Sequence, residues 1–312
     1  MVTRSRKSKI SSSIDSKNSG AARSWFLWVA PFFLPAFFYL STLFAFISPI
    51  AFFIVTLKNR TWVSLLALFT NAAIIFAVDR DLESLSIAIW FWFSVGITFP
   101  LFIRKLKKVP VAFFLSFSLA LLLLFAGVAI VAHGQGLGVT DYLRAQLTFE
   151  IDHLLAIPEH PFQKWVEENG KSSLIHNLMT ELPSGLMIAL IICYWFNLLL
   201  AFRTLPGFLS RAFWGSYRNP EWLVWPTLLS AGLYAFTEHA PYYIGMNGLK
   251  VLLMFYGFQG LSIVTFFLNR RQIFGFFRAL IYGFLIFLAS PFTFALGFFD
   301  LWFDFRRKFG QS

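Results

Sequence analysis

The sequence predicts an all-α fold, a polytopic transmembrane helical bundle with eight or nine spans. Of its 312 residues, 58% are hydrophobic and only 13% are charged, and long apolar runs alternate with short basic clusters. A soluble domain with so few charges would expose too little polar surface to water, so most of this surface is expected to face lipid. Basic clusters between apolar runs mark the cytoplasmic ends of membrane spans.

Residues 1–23 precede the first apolar run and are rich in Ser, Lys and Arg. They carry six basic residues and a single acid, Asp15, with no apolar period. This composition predicts a disordered tail, and its charge places the N-terminus in the cytoplasm. Residues 24–307 are predicted to form a single transmembrane domain, and residues 308–312 a short C-terminal tail.

The first apolar run, residues 25–57, is interrupted by Pro31, Pro35 and Pro49 and has basic residues at both ends. Two short segments folded as a hairpin would keep both ends inside, and a single tilted helix is the alternative. The next spans are separated by an acidic turn, predicted outside, and a basic turn, predicted inside. They are predicted at residues 61–78, 85–103 and 110–132.

Residues 133–182 form one long segment with seven acids and three bases, which predicts an acidic loop on the outer face. Within it, "VTDYLRAQLTFEIDHLLAIP" has apolar residues near helical spacing, as in an amphipathic helix at the bilayer surface. The stretch that begins at His160 is predicted to form a second short helix.

The remaining spans are predicted at residues 183–202, 222–238, 249–268 and 279–299. Pro291 lies inside the last of them, and basic residues lie on both of its sides. A full crossing violates the charge rule at one end, whereas a re-entrant segment satisfies it. Both possibilities stay open, so the span count is eight or nine.

Polar amides inside the apolar runs are the candidate ligand-binding residues. Gln259 and Asn197 lie near the middle of their spans, and an amide there finds no partner in hydrocarbon. Each should therefore face the bundle interior, either to hydrogen-bond another helix or to contact a ligand in a central cavity. Asn247 is the third candidate; like Asn71, it lies nearer the end of its span, where water can reach it.

Basic residues give the chain a net charge of +11, but they sit in short caps between apolar runs, which excludes a nucleic-acid-binding patch. One group of arginines is predicted to share the cytoplasmic face, to contact anionic lipid or a cytoplasmic protein partner. It consists of Arg203, Arg211, Arg218, Arg270, Arg271 and Arg278. Near the C-terminus, Asp300 and Asp304 beside Arg306 and Arg307 predict an ion-pair cluster that fixes the end of the last span.

The sequence offers no set of catalytic residues, so we expect no enzyme. Four of the five histidines lie in or beside the outer segment, without a motif that converges three ligands on a metal, and the chain has one cysteine, Cys193. No metal site and no cofactor are therefore predicted. No acid or base lies at the middle of a span, which disfavours an ion-coupled carrier.

The C-terminal third, residues 220–307, resembles the YybS-like family of bacterial multi-pass membrane proteins. The resemblance rests on "NPEWLVWP", Asn247, "QGLSIVTFF", Arg278 and "LGFFDLWFDFR". It implies a location in the bacterial cytoplasmic (inner) membrane. The family is similar to the substrate-binding membrane subunits of energy-coupling-factor vitamin transporters, which bind a small molecule in a helical bundle and dock onto an ATP-driven module.

Two functions follow from these observations. In the first, the protein is a small-molecule-binding transporter subunit, with Gln259, Asn197 and Asn247 lining the cavity and the outer loop as a lid. This hypothesis requires the amides to converge on one cavity. In the second, the protein is a non-catalytic membrane scaffold or regulator that works through its basic cytoplasmic face, and its polar residues only pack helices.

Overall fold

The structure, a computed structural model, describes residues 28–58, 60–157, 161–205, 211–236 and 240–308. Every regular element within these ranges is helical, which confirms the predicted all-α fold. The predicted N-terminal tail lies outside the described residues, and so do the last four residues of the chain.

The described helices are numbered here in chain order. They are α1 (Leu34–Leu40), α2 (Ile50–Leu57), α3 (Thr61–Asp79), α4 (Leu82–Leu106), α5 (Val109–Gly134), α6 (Val139–Leu155), α7 (Pro161–Asn169), α8 (Lys171–Thr204), α9 (Arg211–Ser216), α10 (Val224–Tyr234), α11 (Ala240–Arg270), α12 (Phe276–Phe287), α13 (Ser290–Phe303) and α14 (Phe305–Lys308). Short 3₁₀ turns occur at Ala30–Phe32, Ala45–Ile47 and Glu221–Leu223.

Five of these helices, α3, α4, α5, α8 and α11, are long and apolar enough to cross a membrane. A sixth span results if the pair α12 and α13 is counted as one, although the two helices meet at an angle of 91°. The chain is therefore built as a multi-pass membrane protein, with five or six candidate spans among the described residues. Helices α3, α4 and α5 follow the predicted spans within three residues at each end.

The turn between α3 and α4 shows how local sequence sets these boundaries. Arg80 ends α3 in the left-handed conformation, with φ of 55°, which stops the helix. Asp81 then caps α4, because its carboxylate accepts the backbone N–H groups of Glu83 and Ser84 at 3.1 and 2.8 Å. This acidic turn is the one predicted to lie outside.

Prolines break the helices at both ends of the chain. The run 28–57 forms short helices rather than a single tilted one, so the predicted break is present. The described residues of the predicted span 222–238, which end at 236, form the eleven-residue α10 and part of a 3₁₀ turn. Pro291 occupies the first turn of α13, just after the sharp bend, where a missing N–H costs no helical hydrogen bond.

The predicted outer segment is itself largely helical. Its amphipathic stretch forms α6, and α7 follows. Helix α8 begins at Lys171, twelve residues before the predicted start of that span at 183, and continues through Pro183 to Thr204. The position of this segment on the outer face stays a prediction.

Packing divides the chain into two compact units. Of the described residues, the first unit joins those from 28 to 137 with those from 190 to 205, and buries a cluster that includes Phe52 and Trp92. The second joins those from 138 to 189 with those from 211 to 308. The predicted single transmembrane domain stays a prediction.

In the second unit, glycines bring α11 close to its neighbours. A Cβ atom at Gly245 would lie 2.3 Å from the backbone nitrogen of Tyr234 in α10. A Cβ atom at Gly260 would lie 2.1 Å from the Thr293 carbonyl oxygen in α13, and one at Gly297 would lie 1.9 Å from an α11 carbonyl. Membrane helices commonly use small residues for such close contact.

We expect Gly297→Ala to lower the free energy of unfolding by about 1–3 kcal/mol, because the new methyl group forces the α11 and α13 backbones apart. Gly283→Ala is the matched control: a Cβ atom at Gly283 in α12 meets nothing within 4 Å. Thermal unfolding of the purified variants in detergent measures the difference. Equal melting temperatures for the two variants would contradict this account of the packing.

Candidate functional site

Gln259 lies near the middle of α11 and is 5% exposed. Its side-chain oxygen accepts the backbone N–H of Asn219 at 2.9 Å, and its side-chain nitrogen donates to the Asp300 carboxylate at 3.0 Å. The amide therefore faces other parts of the protein, as the sequence predicted, and both of its ends are used. Its acidic partner lies 41 residues further along the chain.

Asp300 is also the acid of a buried ion pair. The guanidinium of Arg306 donates to it at 2.8 Å, and the two side chains are 7% and 1% exposed for Arg306 and Asp300. The other carboxylate oxygen accepts the N–H of Phe305 at 3.0 Å. Arg306 also donates to the backbone carbonyls of Gly215 and Tyr217, both at 3.0 Å. A buried ion pair is tolerated when such additional hydrogen bonds satisfy its charges.

The predicted C-terminal ion-pair cluster is thus confirmed for Asp300 and Arg306. Asp304, however, pairs with Arg218, which precedes it by 86 residues, and this pair is half exposed. Asp304 has φ of 41°, a left-handed cap that ends α13 and turns the chain so that Arg306 returns towards Asp300.

Asn247 hydrogen-bonds the backbone of α8 on both sides of Pro183. Its oxygen accepts the N–H of Ser184 at 2.9 Å, and its nitrogen donates to the carbonyl of Thr180 at 2.9 Å. These two groups would pair with each other in a regular helix, four residues apart. Pro183 lies between them, has no N–H of its own, and crowds the preceding turn with its ring. The Asn247 amide therefore supplies hydrogen-bond partners to the backbone on both sides of this proline.

In the first unit, Asn71 likewise hydrogen-bonds the backbone on both sides of Pro35, at the start of α1. Its nitrogen donates to the carbonyl of Pro31 at 2.7 Å, which has lost its helical partner because Pro35 carries no N–H. Its oxygen accepts the N–H of Ala36 at 2.9 Å. The sequence placed Asn71 near a span end within reach of water, but the side chain is fully buried.

Asn197 completes the series. Its nitrogen donates at 2.9 Å to the carbonyl of Phe46, three residues before Pro49, and a proline offers no N–H to a 3₁₀ turn. Its oxygen is buried and accepts no hydrogen bond from the described residues. In each of the three asparagines the nitrogen also donates to the carbonyl four residues earlier in its own helix.

The candidate amides therefore serve separate helix contacts. Gln259 and Asn247 lie twelve residues apart on α11, about 18 Å along its axis, and have no partner in common. Asn197 belongs to the other compact unit. Ligand binding by these residues stays a prediction, and the condition that they converge on one cavity is not met by Gln259 and Asn247. Sequence reasoning missed the asparagine–proline pairs, although a proline inside each apolar run was the available signal.

The arginines of the predicted cytoplasmic face differ in their surroundings. Arg203, Arg270 and Arg271 are exposed, whereas Arg278 donates to Asn269 at 2.8 Å and to the Tyr282 hydroxyl. Arg218 is held by its ion pair with an aspartate. The side chain of Arg211 lies outside the described residues.

Comparison with known families adds a classification to this geometry. A family model described as "Predicted membrane protein (DUF2232)" matches residues 26–301. The chain belongs to this family. No curated protein and no solved structure matches the chain. The family description agrees with the candidate spans of the structure, so the protein is a multi-pass membrane protein.

Metal-ligating side chains are spread out in the part of the chain that the structure describes. No three His, Cys, Asp or Glu side chains there come close enough to hold an ion. His133, His153 and His176 are described, whereas His160 and His239 lie outside the described residues.

The two Arg–Asp pairs of the C-terminal region allow a matched comparison. We expect Arg306→Gln to lower the free energy of unfolding by about 3–5 kcal/mol, because it leaves the buried Asp300 charge without its cation. Arg218→Gln breaks the exposed pair and should lower it by less than about 1 kcal/mol. Chemical or thermal unfolding of both variants measures the two losses. A larger loss of stability in Arg218→Gln than in Arg306→Gln would contradict this difference between the two pairs.

Asn247 and Pro183 can be tested as a pair. We expect Asn247→Leu to cost about 1–3 kcal/mol, because it leaves the Ser184 N–H and Thr180 carbonyl without partners. In a Pro183→Ala background the ladder of α8 can close directly, so the same replacement should cost much less. A double-mutant cycle from melting temperatures gives the coupling. Strictly additive losses would mean that Asn247 does not compensate for the proline.

Proposed function

We propose that the protein is a non-catalytic membrane scaffold or regulator of the bacterial cytoplasmic membrane that acts through its basic cytoplasmic face. The observation that supports this is the use of the polar amides: Gln259, Asn197 and Asn247 all hydrogen-bond the protein's own helices. Since these three amides already bind the protein itself, the remaining predicted recognition residues are the arginines at the membrane surface.

The proposed topology has eight or nine spans, with the N-terminus in the cytoplasm and the acidic segment 133–182 outside. Helix α4 supports this orientation because its two ends carry opposite charge. Its first end follows the acidic cap at Asp81, and its second end carries Arg104, Lys105 and Lys107. Shorter helices such as α2 and α10 would supply the spans beyond the five or six long ones.

The basic face is proposed to contact anionic lipid and a cytoplasmic protein. Arg203 and Arg271 support this role because both are exposed and make no ion pair with the described residues. Exposed arginines at span ends attract anionic headgroups, each by about 1 kcal/mol. No nucleic acid, metal or organic cofactor is part of the proposal.

A small-molecule-binding transporter subunit is the second candidate. The YybS-like resemblance favours it, and so does one feature of the site around Gln259. Two buried donors, the Nε of Arg306 and the side-chain nitrogen of Asn219, have no acceptor among the described residues. An acceptor oxygen of a ligand could satisfy them, because leaving a buried donor without a partner is costly.

Photo-crosslinking in native membranes tests the scaffold proposal. A photoreactive residue at Arg271 should give a discrete protein adduct that is absent when the same residue replaces Glu83, at the oppositely charged end of a span. The adduct should weaken at high salt, because screening reduces the attraction of exposed charges. No adduct at Arg271 would count against a partner on this face.

Native mass spectrometry separates the two candidates. Under the scaffold proposal, wild type and Gln259→Leu should both be free of a specific small molecule, and the variant should only be less stable. A molecule retained by wild type and lost from the variant would favour the transporter subunit and identify the ligand class.

A further inference from the structure

A π-helical stretch interrupts α4 in the first compact unit. Residues Trp92–Thr98 are wound as a π-helix, and the N–H of Phe99 donates to the carbonyl of Ser94, five residues earlier. Such stretches are rare and often mark functional sites, because they displace backbone carbonyls from the regular ladder. Ser94 and Thr98 are 1% and 5% exposed, so the stretch is buried.

Hydroxyl groups from three helices surround the Ser94 carbonyl oxygen. The hydroxyl oxygens of Thr98, Ser116 and Tyr194 lie 2.7, 3.1 and 3.2 Å from it. The Ser116 oxygen also lies 2.7 Å from that of Thr98 and 2.9 Å from that of Tyr194. Ser116 and Tyr194 are fully buried, in α5 and α8. We refer to these four residues as the hydroxyl cluster.

The hydroxyl cluster has more oxygen contacts than protons. Five contacts of 2.7–3.2 Å join its three hydroxyls and the carbonyl oxygen. Each hydroxyl carries one proton, so at most three contacts can be two-centre hydrogen bonds, and the other two share a proton or bring lone pairs together. The Phe99 N–H already uses one of the two lone pairs of the Ser94 carbonyl. A positive charge among these oxygens would turn the repulsive contacts into favourable ones.

The Ser94 side chain adds an independent observation. Its hydroxyl oxygen is buried and has no hydrogen-bond partner among the described residues. It belongs to the same residue as the shared carbonyl, so it can supply a further oxygen ligand next to the cluster. Alone in an apolar interior, an unpaired hydroxyl is unfavourable by about 1–3 kcal/mol.

We propose that the hydroxyl cluster binds a monovalent alkali cation, with the Ser94 carbonyl and the hydroxyls of Thr98, Ser116 and Tyr194 as ligands. Hard cations prefer oxygen ligands, and backbone carbonyls in irregular parts of membrane helices coordinate Na⁺. The Ser94 carbonyl has one lone pair left after accepting the Phe99 N–H. All four ligands are neutral and cancel none of the charge of the ion, which favours an ion with a single charge. A divalent ion would need carboxylates, which the cluster lacks. This site is independent of the proposed scaffold role.

The experiment is a sodium titration of the purified full-length protein at constant ionic strength, with choline as the replacing cation. We expect a saturable rise in the melting temperature of wild type, since a ligand that binds only the folded state stabilises it. Binding of radioactive sodium should saturate at one ion per chain. Parallel titrations with Li⁺ and K⁺ show which alkali ion is preferred, and saturable binding of any of them supports the site.

Thr98→Val removes one ligand with little change of shape and should weaken the apparent sodium affinity at least about tenfold. Thr56→Val is the matched control, because Thr56 is also buried in the first unit and its hydroxyl also contacts a serine hydroxyl, that of Ser64 at 2.9 Å. This control should bind sodium as wild type does.

Two results would overturn the proposal. One is the absence of saturable binding of Na⁺, Li⁺ and K⁺ to wild type, which would leave the hydroxyl cluster as a packing network. The other is an equal loss of affinity in the Thr98 and Thr56 variants, which would locate the effect elsewhere. If Thr98→Val does not fold, Ser116→Ala and Tyr194→Phe take its place. If none of the three folds, the wild-type binding curve decides alone.

Discussion

A proline in a membrane helix releases backbone groups that lipid cannot pair, and the fold depends on how these groups are satisfied. Pro35 and Pro49 lie where α1 and α2 begin, and Pro183 lies inside α8. Near each of these prolines an asparagine from another helix donates to a backbone carbonyl. The same amide nitrogen donates to its own helix four residues back, so both of its protons are used. Each asparagine therefore joins a proline-containing segment to a second helix.

The second compact unit also contains buried charged groups, Asp300 and Arg306, that need hydrogen-bond partners. Its ion pair is buried, and burying two charges is favourable only when other groups complete their hydrogen bonds. The Asp300 carboxylate also accepts hydrogen bonds from the Gln259 side chain and the Phe305 N–H. The Arg306 guanidinium also donates to two backbone carbonyls. The close approach of α11 and α13 at Gly260 makes this possible, since a larger residue there would collide with the α13 backbone.

Sequence reasoning predicted the parts of this structure that depend on composition along the chain. The lengths of the apolar runs and their basic ends were sufficient to predict the bounds of α3, α4 and α5. The absence of a hydrogen-bond partner in lipid was sufficient to predict that Gln259 faces the protein. Sequence reasoning failed where the structure depends on contacts between residues far apart in the chain. The early start of α8 was not predicted: the helix begins twelve residues earlier and continues through Pro183, where Asn247 hydrogen-bonds its backbone. The partners of Gln259 could not be inferred, because 41 residues separate it from Asp300.

The π-helical stretch of α4 also changes the direction in which the rest of that helix faces. One additional residue per turn rotates everything after it by about 100° around the axis, relative to a regular α-helix. Arg104 lies in the rotated part, where its guanidinium donates to the carbonyl of Thr56 at 2.8 Å. The gain or loss of one apolar residue here would hardly change the mean hydropathy of the helix. It would, however, rotate the rest of the helix and turn Arg104 away from Thr56. The number of residues in this stretch therefore matters more to the fold than the type of each residue.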